Sequence, residues 1–183
     1  AIAAWQAAGD VHGANTGRYN LAMALGALAP TRAQALQEID AVIAATRAAG
    51  DWGLLAVAWN QRGELMRAAR RWDEAVLAYR TAVRIADDAF DPLALAYALW
   101  NLPLALVRRR EARTAVPLMA FAQRHWERQA GHLSADDRRD LRRLRRMAAC
   151  QLGPAQVEAD WRLGEALGLA GALRLALGSE PTP

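Results

Sequence analysis

The feature that most constrains this chain is an internal period of about 40 residues, a length found in helical repeat arrays. Three aromatic–asparagine pairs recur at this period: Tyr19-Asn20, Trp59-Asn60 and Trp100-Asn101. An Ala-Ala-Gly-Asp tetrapeptide that begins at Ala7 begins again at Ala48, one period later. In such arrays each repeat is one supersecondary unit, and stacked neighbours bury a shared core.

Each period is predicted to hold two helices. The clearest stripe lies in the second copy, where Ala75, Tyr79, Ala82 and Ile85 recur at i, i+4, i+7 and i+10, the spacing of one apolar helix face. Alanine, the strongest helix former, fills 44 of the 183 positions. We therefore predict an all-α fold, a right-handed superhelix of about four antiparallel helical pairs, with eight or nine helices.

The predicted organisation is one domain over residues 1–178, with a frayed tail at 179–183. The helical pairs are expected at about residues 16–50, 51–90, 91–130 and 134–167, with a short last helix at 170–177. Ser134, followed three residues later by Asp137, predicts a capping box with Asp in place of Glu. Residues 1–8 read as the end of a preceding second helix, so the chain is expected to be a fragment of a longer protein.

Composition limits the possible chemistry. All 23 basic residues are arginine, which excludes a phosphate-loop lysine, a Schiff-base lysine and a lysine general base. Cys150 is the only cysteine, so no internal disulfide forms, and the expected thiol is buried and inert. Without a signal-like start or an apolar run long enough to span a bilayer, the prediction is a soluble, cytoplasmic protein.

Catalytic groups are scarce in the sequence. His12, His125 and His132 share no metal-ligand spacing with one another or with acidic residues. Gly164, Gly168 and Gly171 follow no predicted strand, so they indicate close helix contacts or helix ends rather than a dinucleotide loop. We predict no enzyme activity, no metal and no cofactor.

Residues 105–146 are strongly basic, with 12 arginines against 5 acidic residues. The predicted helix after Ser134 carries the densest cluster, and the arginines expected to contact a partner are Arg138, Arg139, Arg142, Arg143 and Arg146. The simpler interpretation is a solvated helix face with local pairs to Asp136, Asp137 and Asp140. The functional interpretation is a contact for an acidic partner domain or for phosphate.

The second copy resembles a tetratricopeptide repeat. The residues that carry the resemblance follow a large-small-small-aromatic-small pattern at the family's spacing: Trp59, Gly63, Ala75, Tyr79 and Ala82. The other copies depart from this pattern, since Met23 and Leu104 stand where the family prefers glycine. The resemblance implies close helix crossings at the small residues and a concave wall lined by the first helix of each pair.

That concave wall supplies the candidate ligand-binding residues. Asn20, Asn60 and Asn101 follow the aromatic residue of successive first helices, where an amide can hydrogen-bond a peptide backbone. Three charged residues on the same stripes, Glu64, Arg67 and Arg108, are expected to set the charge preference. The alternative is that the asparagines only tie neighbouring helices together.

Over roughly residues 15–178, the chain resembles the C-terminal repeat region of large bacterial signalling ATPases and of LuxR-type and winged-helix transcriptional regulators. The segments that carry this resemblance begin at Pro117 and at Trp161. It implies a protein-interaction or effector-sensing module of a larger regulator. The implied partner is a protein or peptide, which includes other domains of the same polypeptide. The alternatives are a structural spacer or oligomerisation unit, or a helical repeat that binds nucleic acid through the arginine-rich helix.

Overall fold

The computed structural model describes residues 2–178, apart from the side chain of Gln6. These residues form ten α-helices and a 3-10 turn at Ala29–Thr31, and they contain no strand, so the all-α class is confirmed. The predicted frayed tail, 179–183, lies outside the described residues. The helices are α1 Ile2–Ala7, α2 Val11–Gly26, α3 Arg32–Ala49, α4 Trp52–Ala68, α5 Trp72–Asp88, α6 Pro92–Arg108, α7 Ala112–Gln129, α8 Ala135–Leu152, α9 Pro154–Ala166 and α10 Leu169–Leu177.

The helices belong to two compact units, with bounds Ala1–Asp91 and Pro92–Pro183. The first unit contains α1 to α5, and the second contains α6 to α10. In the first unit, helices adjacent in sequence pack against each other; in the second unit α6 to α9 do so, and α10 packs against α7. The superhelix and the single domain predicted from the sequence stay predictions.

Most predicted helix bounds are confirmed to within two residues, but the start of α2 was wrong. The helix begins at Val11 rather than Thr16, because Asp10 caps it by accepting a hydrogen bond from the Gly13 backbone amide at 2.8 Å. Gly13 lies inside the helix, where a Cβ atom would overlap the capping Asp10 carboxylate and the Trp5 ring of α1. The predicted capping box of Ser134 and Asp137 at the start of α8 is confirmed.

One type of turn ends five of the helices. In each, a residue with positive φ is followed by one whose backbone amide donates to the carbonyl five residues earlier, at 2.9–3.0 Å. This is the hydrogen bond of a Schellman motif. Glycine occupies two of the left-handed positions and larger residues occupy three: Gly9, Gly50, Arg70, Phe90 and Arg110. The last four are evenly spaced along the chain, so the sequence period is twice the length of one helix-plus-turn unit.

A close helix crossing joins α4 and α5 in the first unit. Gly63 lies against the ring of Tyr79, and a Cβ atom at position 63 would overlap that ring. Tyr79, Ala75 and Ala82 are fully buried. The predicted close contact of Gly63 with Tyr79 is therefore confirmed.

The first helices of the two pairs in this unit run side by side. Near their starts, the His12 ring of α2 contacts the Asp51 carboxylate at 2.6 Å. Near their ends, Gly26 lies against the Leu65 side chain of α4. Both contacts join residues one repeat apart in the sequence, so α2 and α4 are parallel and in register.

The second unit contains an even closer crossing, between α7 and α9. Gly164 lies directly on the backbone of Pro117, where a Cβ atom would overlap the Pro117 carbonyl oxygen. Arg124 of α7 donates to the Leu167 carbonyl at the end of α9, at 3.2 Å. The predicted role of Gly164 in close helix contact is confirmed.

The α4–α5 crossing gives a test with an internal control. Gly63→Ala places a methyl group in the Tyr79 ring, and we expect it to lower the free energy of unfolding by about 1–3 kcal/mol. In the same helix, a Cβ atom at Gly53 would meet only Asp91 Oδ2, at 3.6 Å. Gly53→Ala should therefore raise the free energy of unfolding by up to about 1 kcal/mol through helix propensity. Urea denaturation measures both, and equal effects would contradict the assigned crossing.

The turn at Phe90 gives a second test. Phe90 is 92% exposed and has a φ of 53°, a region in which a bulky side chain is strained. Phe90→Gly should raise the free energy of unfolding by about 1 kcal/mol, because glycine adopts this conformation without that strain. Leu77→Gly, at an exposed apolar position inside α5, should lower it by about 1 kcal/mol. A destabilised Phe90→Gly protein would show that the aromatic ring itself supports the turn.

Candidate binding sites

The predicted groove asparagines differ in exposure. In the first unit, Asn20 of α2 is exposed, whereas Asn60 of α4 is only 9% exposed and interacts with its surroundings. In the second unit, Asn101 of α6 is partly buried and also has an interaction partner. Equal exposure, expected of three side chains that line one groove, is not observed. Ligand contact through these residues stays a prediction, and Asn20 is the one most accessible to a ligand.

Glu64 and Arg67, two other candidates, take part in a network around a buried tyrosine. The Tyr79 hydroxyl donates to Glu64 Oε1 at 2.9 Å, and Arg67 Nη2 donates to Glu64 Oε2 at 2.5 Å. Burial, together with the Glu64 charge, raises the pKa of Tyr79 well above its ordinary value, so the hydroxyl stays a donor. Burial alone would lower the pKa of Arg67, but the nearby Glu64 charge and Tyr79 together raise it. These groups connect α4 to α5, and a ligand would have to compete with that network.

Arg108, the last groove candidate, lies near the end of α6 in the second unit. It is partly buried and interacts with its surroundings. Asn101 lies two turns earlier on the same helix, which places the two residues on one stripe of α6. The structure therefore brings Asn101 and Arg108 to the same side of one helix, and their role in binding stays a prediction.

The arginines of helix α8 fall into two groups, those that interact with another group of the protein and those that make no ion pair. Arg138 donates to the Leu133 carbonyl at 2.6 Å, and Arg139 pairs with Asp136. The three other predicted contact residues are exposed and make no ion pair with any residue in the described part of the chain: Arg142, Arg143 and Arg146. Leu144 and Ala148 are buried, and the helical spacing puts the three arginines on the opposite face. We call these three residues the α8 arginine face.

Arg145, which the sequence did not single out as a contact residue, has a structural role. Its guanidinium lies 4.5 Å from the centre of the Trp161 ring and 3.1 Å from Glu158 Oε2. A cation over an indole face is attracted by the ring's electron density. Arg145 therefore holds α8 against α9 and leaves the arginine face on the outer side.

The prediction for Cys150 was wrong. The thiol is exposed, because position 150 lies one turn after Arg146 and on the same side of α8. The alternation of arginine and apolar residues in the sequence does not show which side of α8 packs against neighbouring helices. Cys150 therefore provides a reactive reporter beside the α8 arginine face.

A cavity in the first unit was missed by the sequence analysis. It has a volume of about 310 Å³ and lies among the α1–α2 turn, α2 and α3. Its lining residues include Asp10, Asn15, Arg18 and Ala45. The sequence pattern that could have indicated this pocket is one helix face at i, i+3, i+4 and i+7, made of Val11, Ala14, Asn15 and Arg18. It was overlooked because the helix was expected to start at Thr16.

The histidines do not converge on a site. His12 pairs with Asp51 in the first unit, whereas His125 in the second unit is buried with its ring stacked on Phe121, the ring centres 5.5 Å apart. Among the described residues, no three histidine, cysteine, aspartate or glutamate side chains are grouped as metal ligands would be. None of the described helices combines the length and apolar character needed to cross a bilayer.

Comparison of the chain with protein-family models, with curated proteins and with solved structures gave no match.

The environment of His125 predicts how stability depends on pH. Burial lowers the pKa of His125, the nearby Arg128 charge acts in the same direction, and a hydrogen bond with the Pro92 backbone opposes them. The unfolded chain takes up a proton at this residue near pH 6.5, so the free energy of unfolding falls as the pH drops below that value. Urea denaturation between pH 7.5 and 5.5 should show a smaller loss in His125→Gln than in wild type.

The matched control is the exposed His132. His132→Gln should keep the wild-type pH dependence. If His125→Gln also keeps the wild-type dependence, the buried imidazole does not contribute to acid sensitivity.

Proposed function

We propose that this chain is a tetratricopeptide-like interaction module that binds an acidic segment of a protein partner on the α8 arginine face. The right-handed superhelix and the place in a larger bacterial regulator, both expected from the sequence, belong to this proposal. Two observations support the repeat character: the evenly spaced helix-ending turns and the parallel, in-register α2 and α4.

One observation carries the binding proposal. Arg142, Arg143 and Arg146 are exposed without an ion pair to any described residue, although the neighbouring Arg138, Arg139 and Arg145 are all engaged. Because α8 rises about 1.5 Å per residue, Arg142 and Arg146 lie about one turn, or about 6 Å, apart along its axis. Carboxylates one turn apart on a partner helix have the same axial spacing. The charge and the spacing therefore fit an acidic helical segment.

Nucleic acid fits this face less well. Single strands are bound by aromatic side chains placed among basic residues, and α8 contains no aromatic residue between Ala135 and Leu152. Trp161 of α9 is already covered by Arg145. Three adjacent arginines also contact few phosphates along a duplex, which limits the counterion release that drives such binding.

The groove prediction is not the basis of this proposal. Glu64 and Arg67 are engaged with Tyr79, and Asn60 is nearly buried. Ligand binding there would require these internal interactions to change.

The test uses a fluorescein-labelled acidic peptide with glutamate at every fourth position, measured by fluorescence anisotropy. Replacing Arg142, Arg143 and Arg146 by glutamine should weaken binding about tenfold or more, since each exposed ion pair contributes up to about 1 kcal/mol. The matched control replaces three exposed arginines on separate helices, Arg47, Arg84 and Arg113, and so removes the same charge. Binding should persist in the control and weaken with added salt.

Cys150 locates the complex independently. Bound peptide should slow alkylation of this thiol by iodoacetamide, a neutral reagent, whereas the glutamine version of the peptide should not. Equal weakening in the two triple variants would mean that only net charge matters and would overturn the proposal. Tighter binding of a DNA duplex than of the acidic peptide at the same salt concentration would favour the nucleic-acid alternative.

A further inference from the structure

The two most exposed aromatic side chains of the described residues lie close together in the first unit. Phe90, in the turn after α5, is 92% exposed, and Trp52, the first residue of α4, is 53% exposed. Their chain neighbours Asp91 and Gly53 are adjacent in space, since a Cβ atom at Gly53 would lie 3.6 Å from Asp91 Oδ2. Neighbouring exposed aromatic side chains are typical of protein-interaction surfaces.

Two carboxylates lie next to Phe90 in the chain. Asp87 and Asp88 occupy the last turn of α5, and neither makes an ion pair with any residue that the structure describes. Carboxylates at this end of a helix face the negative pole of the helix dipole, so they do not stabilise α5. The last turns of α3, α4, α6 and α7 each contain an arginine instead. We call Trp52, Asp87, Asp88 and Phe90 the aromatic–acidic surface.

An aromatic ring beside a carboxylate is the environment in which this fold holds its own arginines. Arg145 has such an environment between α8 and α9. In the first unit, the Arg62 guanidinium lies 5.5 Å from the centre of the Trp59 ring, and Arg62 Nε donates to Asp40 Oδ1 at 2.9 Å. A guanidinium suits both contacts because its plane stacks on a ring while its N–H groups pair with a carboxylate. The aromatic–acidic surface has both components, but no arginine of the described chain occupies it.

We propose that the aromatic–acidic surface binds the α8 arginine face of a second copy of this chain, so that the protein associates head to tail. The Asp87 and Asp88 carboxylates pair with guanidinium groups of that face, and the Phe90 and Trp52 rings pack on them. This inference rests on the proposed function of the α8 arginine face and names its partner.

Complementarity of charge favours a second copy as the occupant. The α8 arginine face has three cations without ion pairs to the described residues, and the aromatic–acidic surface has two carboxylates in the same condition. Because the two surfaces are unlike, a contact between two copies leaves one surface of each kind unused, and association can continue.

Sedimentation velocity of the full chain measures this association. The weight-average mass should rise with protein concentration at low salt and fall when salt is added, because the ion pairs are exposed. Asp87→Asn combined with Asp88→Asn, and separately Phe90→Gly, should weaken association at least about tenfold, while the fold stays at least as stable as wild type. The matched control, Glu38→Gln with Glu127→Gln, removes the same charge from other helices and should associate as wild type does.

Mixing complementary variants tests the head-to-tail contact directly. The double variant of Asp87→Asn and Asp88→Asn retains the α8 arginine face. The triple variant with glutamine at Arg142, Arg143 and Arg146 retains the aromatic–acidic surface. Each variant alone should stay monomeric where wild type associates, but an equimolar mixture should form a one-to-one complex.

A wild-type protein that is monomeric at every concentration up to about 1 mM would overturn the inference. A mixture of the two variants that stays monomeric while wild type associates would exclude the head-to-tail contact. Equal weakening in the Glu38 and Glu127 control would show that only net charge matters, which also overturns it.

Acidic-peptide binding separates this inference from the proposed function. The double variant of Asp87→Asn and Asp88→Asn should bind the fluorescein-labelled peptide at least as tightly as wild type, because its arginine face is intact and no second copy competes for it. A wild-type protein that binds the peptide but remains monomeric would leave the proposed function intact and overturn only the second copy as the partner.

Discussion

The backbone hydrogen bond that closes five of the interhelical turns sets the geometry on which much of the fold depends. In each of these turns a backbone amide donates to the carbonyl five residues earlier. In four of them the same residue occupies the N-cap position of the next helix: Asp10, Asp51, Arg71 and Glu111. Only the two aspartates also accept a capping hydrogen bond through the side chain. One helix therefore begins very soon after the last one ends. That short reversal fixes which positions of adjacent helices face each other, and its even spacing along the chain underlies the sequence repeat.

A residue other than glycine at the left-handed position of this turn lowers the stability of the folded state. Arg70, Phe90 and Arg110 occupy that position with φ of 53–66°, each at a cost of about 1 kcal/mol relative to glycine. The cost is borne because the packing of the flanking helices is extensive: Tyr79, Val83 and Ala86 of α5 are completely buried. Tertiary packing thus determines the turn conformation, and the residue in the turn tolerates it.

Much of the fold could be predicted because it depends on spacing along the chain. The recurring aromatic–asparagine pairs, the capping box at Ser134 and the Gly63–Tyr79 crossing all follow from local sequence. Ten helices rather than eight or nine are described, because residues 2–7, expected as the end of a preceding helix, form a separate element. Gly13 is part of α2, although this helix was expected to start at Thr16.

The binding residues were harder to predict, because exposure depends on neighbours that the spacing does not reveal. Asn20 and Asn60 have equivalent places in the sequence repeat, yet α4 packs more extensively against α3 and α5 than α2 does against α1 and α3. Asn60 is consequently buried while Asn20 is exposed. Glu64 was expected to face a ligand but accepts the hydroxyl hydrogen of a tyrosine from the next helix.

The α8 arginine face costs the free protein little. An exposed arginine is hydrated, so the lack of an ion pair at Arg142 or Arg146 has little effect on stability. Only the concentration of three such cations on one face indicates a partner. Binding on α8 would therefore add favourable contacts without correcting a defect of the free protein.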